Sequence, residues 1–287
     1  MCLHRLPAEL LMKVADEYLL DAEIHGARSR MQAALRLALI NRRIRDLMLA
    51  RSAIWTTIHL HVDDRITSLF QERAAGHKLR LYLDTNTPEP PKLTTIAQWS
   101  AFIESNMPFI EHFNLLVHTS EISKALSSSL RTPAPLLASI SFDFKQNDCT
   151  LGRSLFSGQA PQLETIRLLS HTPWNLKPFS SVKSATLYIC GESARKNVST
   201  LQHLNHAESV TFVGPPSYQR ANDVVMPPPD RNGPVSLRSC RHFEVKKVIS
   251  SAAQFIFTGV RLPVLESLTI DEYLWAKNLQ NQLPTEI

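Results

Sequence analysis

Leu163-Glu164-Thr165-Ile166-Arg167-Leu168 is one copy of a short pattern that the chain repeats: an apolar residue, two residues, a second apolar residue, one residue, a third apolar residue. The same spacing gives Trp55/Ile58/Leu60, Ile110/Phe113/Leu115, Leu137/Ile140/Phe142 and Leu265/Leu268/Ile270. It returns as Val182/Ala185/Leu187, Ala207/Val210/Phe212 and Cys240/Phe243/Val245, with Leu79/Leu81 after Gly76 as a weaker copy. The last two apolar positions are two residues apart, the period of a β-strand, so the residue between them points to the opposite face. Those intervening residues are His59, Arg80, Asn114, Ser141, Arg167, Thr186, Thr211, Glu244 and Thr269, none of them hydrophobic. The pattern predicts short strands with one buried face and one polar face.

The first positions fall at residues 55, 76, 110, 137, 163, 182, 207, 240 and 265, so successive spacings run from 19 to 34. Most lie within the ~20–29 residue period of leucine-rich repeats. The two longest spacings contain proline clusters, Pro88-Glu89-Pro90-Pro91 and Pro215-Pro216 with Pro227-Pro228-Pro229. They predict insertion loops, the second running from Gly214 to Pro234. Between strands, Ile96/Trp99/Ile103, Ile122/Leu126/Leu130 and Val198/Leu201/Leu204 are apolar at helical intervals, with Ser120 as the cap of the second. Strand, turn and helix at this period predict an α/β chain wound as a right-handed solenoid with a parallel sheet on its concave side. This resembles leucine-rich repeat domains. Cys190 matches the family's Asn or Cys after the strand, while His118, Lys145 and His171 depart from it, so the repeats are irregular ones. A globular α/β domain with alternating parallel strands and helices is the other architecture compatible with the pattern.

Before the repeats lies a different kind of chain. Leu6-Pro7-Ala8-Glu9-Leu10-Leu11 reads as a helix start, since proline is tolerated in the first turn and an acidic residue suits the positive helix end. Leu10, Leu11, Val14 and Tyr18 follow at helical spacing, and a second apolar-periodic segment covers Ala34 to Met48. Leu-Pro-x-Glu-Leu-Leu, a helix, then Leu39-Ile40-Asn41-Arg42-Arg43-Ile44-Arg45 and Trp55 about ten residues on resembles an F-box. Ile44 stands where that family usually has Trp, and Asp21 to Gln32 reads as a longer linker than the family's.

The resemblance implies an F-box-like helical module over residues 1–56 and a leucine-rich-repeat-like domain over 57–287. It implies a substrate receptor that docks on the Skp-type adaptor of a cullin–RING ubiquitin ligase and presents an unknown protein target. The adaptor-binding residues carried over are Leu6, Pro7, Leu10, Leu11, Val14, Leu39, Ile40, Ile44 and Trp55. The outward strand positions Arg167, Thr186, Thr211, Arg241, His242 and Glu244 are the expected target-binding residues. The alternative is a repeat scaffold outside ubiquitin chemistry, whose N-terminal helices only cap the solenoid.

Composition sets bounds on other functions. With 287 residues, 44% hydrophobic and 20% charged, the chain can build a sizeable core. No apolar run approaches the ~20 residues that span a membrane, and Met1 to Leu11 lacks a secretory h-region. Cys2, Cys149, Cys190 and Cys240 are far apart, which fits reduced thiols in the cytoplasm or nucleus. A net charge of +5 is mild; Arg42, Arg43 and Arg45 read as a solvated helix face or a contact for an acidic partner rather than a nucleic-acid site.

The sequence offers little for catalysis. Eight glycines form neither a dinucleotide fingerprint nor a phosphate loop, and Gly-x-Ser-x-Gly is missing. His59-Leu60-His61-Val62-Asp63-Asp64 places two histidines on one strand face, but a zinc site needs three or four converging ligands. His203 and His206 lack the spacing and the glutamate of a zinc-protease helix. The expectation is a non-enzymatic protein with no catalytic residue, metal or cofactor.

Overall fold

The computed structural model describes residues 6–86, 91–144, 155–169, 176, 179–189, 198, 200–214, 234–248 and 250–271. Period-two alternation forms strands β1 (Thr57–His59), β2 (Leu79–Asp84), β3 (Ile110–Val117), β4 (Ser139–Phe144), β5 (Thr165–Leu169) and β6 (Ser184–Tyr188). They continue as β7 (Ser209–Val213), β8 (Val235–Ser236), β9 (His242–Lys246), β10 (Val260–Arg261) and β11 (Ser267–Ile270). Nine of these make one sheet in the order β1-β2-β3-β4-β5-β6-β7-β9-β11, while β8 and β10 pair apart from it. Every neighbouring pair is parallel. The chain is therefore α/β, with each sheet strand laid beside the one before it.

Register explains the repeated pattern. Ile58, Leu81, Phe113, Ile140, Ile166, Ala185, Val210 and Phe243 align across the sheet, and all are buried. A second buried row joins Leu83, Leu115, Phe142, Leu168, Leu187, Phe212 and Val245. The first apolar residue of each repeat, from Trp55 and Ile110 to Cys240, is buried as well. Edge-on ring contacts, Phe113 on Phe142 at 5.4 Å and Phe212 on Phe243 at 5.9 Å, tie neighbouring strands together.

The return segments supply the other half of this core. Helices α1 (Ala8–Ile24), α2 (Ala27–Ile40) and α3 (Arg42–Leu49) precede β1, and α4 (Asp64–Ala74) follows it. After β2 comes α5 (Leu93–Asn106), then α6 (Ser120–Leu126) after β3 and α7 (Ser250–Gly259) after β9. Phe70, Ile96, Trp99, Ile103, Ile122 and Leu126 belong to the same buried cluster as the strands' apolar rows. The opposite sheet face is half-buried or exposed along β2 to β9. Parallel sheets are usually covered on both sides; among the described residues this one is covered on one.

α1 and α2 form an antiparallel hairpin through His25 and Gly26, where Gly26 takes φ +103, a value glycine adopts without steric cost. Arg30 closes the hairpin by donating to the Leu19 carbonyl and to Glu23. The expected long linker over Asp21 to Gln32 is thus two helix ends and a two-residue joint. The single segment expected over Ala34 to Met48 is broken at Asn41, whose extended backbone and side chain (Oδ1 accepting from Ile44 N at 2.9 Å) start α3.

Other expectations shift in detail. Thr119, not Ser120, caps α6. α4 was not anticipated; Asp63 at the end of the histidine motif is its N-cap. In β2 the residue aligned with His59 and Asn114 is Tyr82, not Arg80, which pairs instead with Thr57 and His112. The Val198/Leu201/Leu204 segment contains a short 3-10 turn at Leu201–His203. Pro88 to Pro90 of the first proline cluster, all of the second, most of the Gly214 to Pro234 insertion, and Cys2, Cys149 and Cys190 lie outside the described residues.

The division at residue 56 is not a break in the core. Ala15, Leu19, Met31, Ala34 and Met48 join Ile58 and Leu60 in one cluster. Met31 Sδ accepts from His59 N at 2.9 Å, and Glu23 pairs with Arg80 at 3.0 Å.

Candidate binding surface on the open sheet face

Outward residues of the sheet lie in rows. One row runs Arg80, His112, Ser139, Thr165, Ser184, Ser209, His242 and Ser267. The next runs His59, Tyr82, Asn114, Ser141, Arg167, Thr186, Thr211, Glu244 and Thr269. Four of the expected target-binding residues, Arg167, Thr186, Thr211 and Glu244, therefore stand side by side, with His242 one row away.

Their pairing differs. Arg167 is exposed and has no ion-pair or hydrogen-bond partner among the described residues. Thr211 Oγ1 donates to Glu244 Oε2 at 3.2 Å, and Glu244 Oε1 meets Lys246 at 2.9 Å. Arg241 is engaged by Glu266 at 3.3 Å.

The sequence reading missed a charge ladder along one margin of this face. Ala138 N donates to Glu111 O, Glu164 N to Ala138 O, Lys183 N to Glu164 O, Glu208 N to Lys183 O, Arg241 N to Glu208 O and Glu266 N to Arg241 O. From Glu164 onward the signs alternate along this path, through Lys183, Glu208 and Arg241 to Glu266, and Lys78–Glu111 at 2.8 Å and Lys183–Glu164 at 2.7 Å form ion pairs. The Lys78 hydrogen bond holds the Glu111 carboxyl below its usual range, and Glu164 raises the Lys183 ammonium. Such exposed pairs are screened by solvent and contribute little to stability, so they act on register and solubility instead. The signal was available: each of these residues follows the first apolar position of its repeat.

A further outward row was also missed. Leu116 aligns with Asp143 and Leu169, and Tyr188 with Val213 and Lys246. Leu116, Leu169, Tyr188 and Val213 are half-buried, which adds apolar area to a face otherwise made of hydroxyls and charges.

The histidine motif is structural. His59 Nδ1 accepts from His61 N at 3.2 Å, and the His61 ring meets Trp99 edge-on at 5.8 Å. Burial first, and then the charge of His61, lowers the His59 pKa to about 4, so it is neutral at pH 7. Among the described residues no group of three or more His, Cys, Asp or Glu side chains converges. None of their helices is long and apolar enough to cross a membrane.

The nine expected adaptor-binding residues divide. Leu11, Ile44 and Trp55 are buried in the protein's own core. Trp55 Nε1 donates to the Met48 carbonyl at 2.9 Å, its ring packs edge-on to Phe70 at 5.0 Å, and the Arg73 guanidinium lies 4.5 Å over it. Leu6 is half-buried and Pro7 exposed. Leu10, Val14, Leu39 and Ile40 face solvent, joined by Tyr18, Leu20, Ile24 and Leu49, which the motif did not supply.

No family model, curated protein or solved structure matches this chain.

Proposed function

We propose that the protein is a non-enzymatic substrate receptor of a Skp–cullin–F-box ubiquitin ligase. In this reading α1 to α3 act as an F-box-like module that docks on a Skp-type adaptor. The strands and their return segments form a right-handed leucine-rich-repeat-like solenoid, and its open sheet face takes up the protein target. Sequential strand order and a sheet covered on one side support the solenoid. A doubly wound sheet would reverse its order at a switch point and carry helices on both faces.

The observation that carries the docking reading is the apolar outer surface of α1 to α3. Val14 is 55% exposed, Ile24 78%, Leu39 79% and Ile40 54%. Helices that only seal a repeat array need an apolar inner face and a polar outer one. Large apolar side chains gathered on an outer surface mark an interaction site. The second reading, a cap on a plain scaffold, draws on the core shared between α2 and β1 and on the Glu23–Arg80 pair. A cap face and a docking face can occupy opposite sides of the same three helices.

Co-expression with a Skp-type adaptor tests the choice. A one-to-one complex should co-purify, and Val14→Asp with Leu39→Asp should weaken it about a thousandfold, taking ~2 kcal/mol for each anchor. Thermal stability should hold, because both side chains already face solvent. No complex, or a double variant that binds like the parent, leaves the cap reading in place.

A further inference from the structure

The open face carries a shallow concavity of about 250 Å³ over β2, β3 and β4, lined by Arg80, Tyr82, His112, Asn114, Ser139 and Ser141 with Phe113 at its floor. Register builds it: Arg80, His112 and Ser139 are neighbours in one row, and Tyr82, Asn114 and Ser141 in the next. None of these six was among the expected target-binding residues. Tyr82, Asn114, Ser139 and Ser141 make no side-chain hydrogen bond to any described residue, so their donors are turned to the concavity without protein partners.

Its charge has one sign. Among the described residues Arg80 is the sole formal charge in the lining. Glu23, at the end of α1, receives both Arg30 at 3.1 Å and Arg80 at 3.0 Å, which leaves one positive charge in excess beside the cavity. Lys78 and Glu111, next to His112, neutralise each other. The Tyr82 hydroxyl is kept protonated by burial and by Glu23, so it serves as a donor. Ligand pockets for whole cofactors run to ~300–1,000 Å³; this volume suits a single group projecting from a larger partner.

We propose that this concavity is an oxyanion subsite that receives a phosphoryl or carboxylate group carried by the recognised protein target. The proposal rests on the reading of the open face as the target-binding surface. Arg80 supplies the charge, which a planar guanidinium does well for either oxyanion. Asn114, Ser139, Ser141 and Tyr82 supply neutral donors around it. The two sources of the oxyanion differ in charge and oxygen count, so a titration can separate them.

The test is an amide-resolved NMR titration of the whole chain at constant ionic strength, with inorganic phosphate in one arm and acetate in the other. Saturable shifts confined to β2–β4 are expected, with phosphate tighter for a phosphoryl source and acetate tighter for a carboxylate source. Asn114→Asp, on an exposed position, places a carboxylate in the concavity and should weaken binding at least tenfold without unfolding the protein. Arg80→Gln should abolish it, and because that change also releases Glu23, Asn114→Asp is the deciding variant if Arg80→Gln destabilises the fold. Shifts that never saturate, that centre on the arginines of α2 and α3, or that persist in Asn114→Asp overturn the proposal. Adaptor co-purification with the parent chain keeps the readings apart: docking by a parent that binds neither anion rejects the subsite alone, and saturable anion binding by a parent that does not dock rejects the docking role alone.

Discussion

Replacing Trp55 with alanine should unfold the protein well before it affects any partner. The indole is fully buried, with its N–H on the Met48 carbonyl, its face under Arg73 and its edge against Phe70. Truncating a buried tryptophan to alanine costs about 3–5 kcal/mol, because the cavity left behind collapses only in part. The ring pair accounts for ~0.5–1.5 kcal/mol beyond area burial, and an orphaned carbonyl costs ~1–3 kcal/mol where water cannot reach it. These overlap, so about 4 kcal/mol is the working figure, which at ~2–4 °C per kcal/mol lowers Tm by roughly 8–16 °C. Trp55→Phe should recover most of the packing and lose the hydrogen bond, giving a smaller drop. Urea and thermal unfolding of the isolated chain, with no adaptor present, measure both. An alanine variant as stable as the parent yet unable to bind a Skp-type adaptor would refute the reasoning, since it would make Trp55 a partner anchor.

Two further perturbations probe the same structure. His59 binds its proton only near pH 4 when folded but near 6.5 when unfolded, so the unfolded chain gains protons first as pH falls. Its contribution is therefore complete above pH 6.5 and is lost by about pH 4, roughly 3 kcal/mol at 1.36 kcal/mol per pH unit. Urea titrations of parent and His59→Gln from pH 7.5 to 4 should diverge in that window, and parallel curves would reject the burial argument. A Cβ on Gly214 would overlap the Lys247 carbonyl at the end of β9. Gly214→Ala should then destabilise by ~1–3 kcal/mol through overpacking, read as a shifted urea midpoint at an unchanged slope; no shift would show that the loop after β9 yields freely.

Period two along a strand is a local property, so the three apolar rows were legible from Leu163/Ile166/Leu168 and its copies before any fold was known. The polar open face followed from the same alternation, and the sign-alternating ladder from Glu164 to Glu266 could have been read there too. Local patterns fail where two assignments satisfy them equally. Arg80 and Tyr82 both alternate with leucines in β2, and only the pairing with both neighbouring strands sets Tyr82 beside His59 and Asn114. Leu10 and Leu11 look alike in sequence, yet one faces solvent and the other the core. Trp55 read as a partner anchor because an adaptor groove and a protein's own interior make the same demand for apolar bulk. Asp63 read as part of a histidine motif until α4 used it as a cap. Arg80, Asn114 and Ser141 were legible as outward positions, but not the concavity they share over β2 to β4: its residues come from three strands with two return segments between them, and only parallel pairing in register places Arg80, His112 and Ser139 side by side.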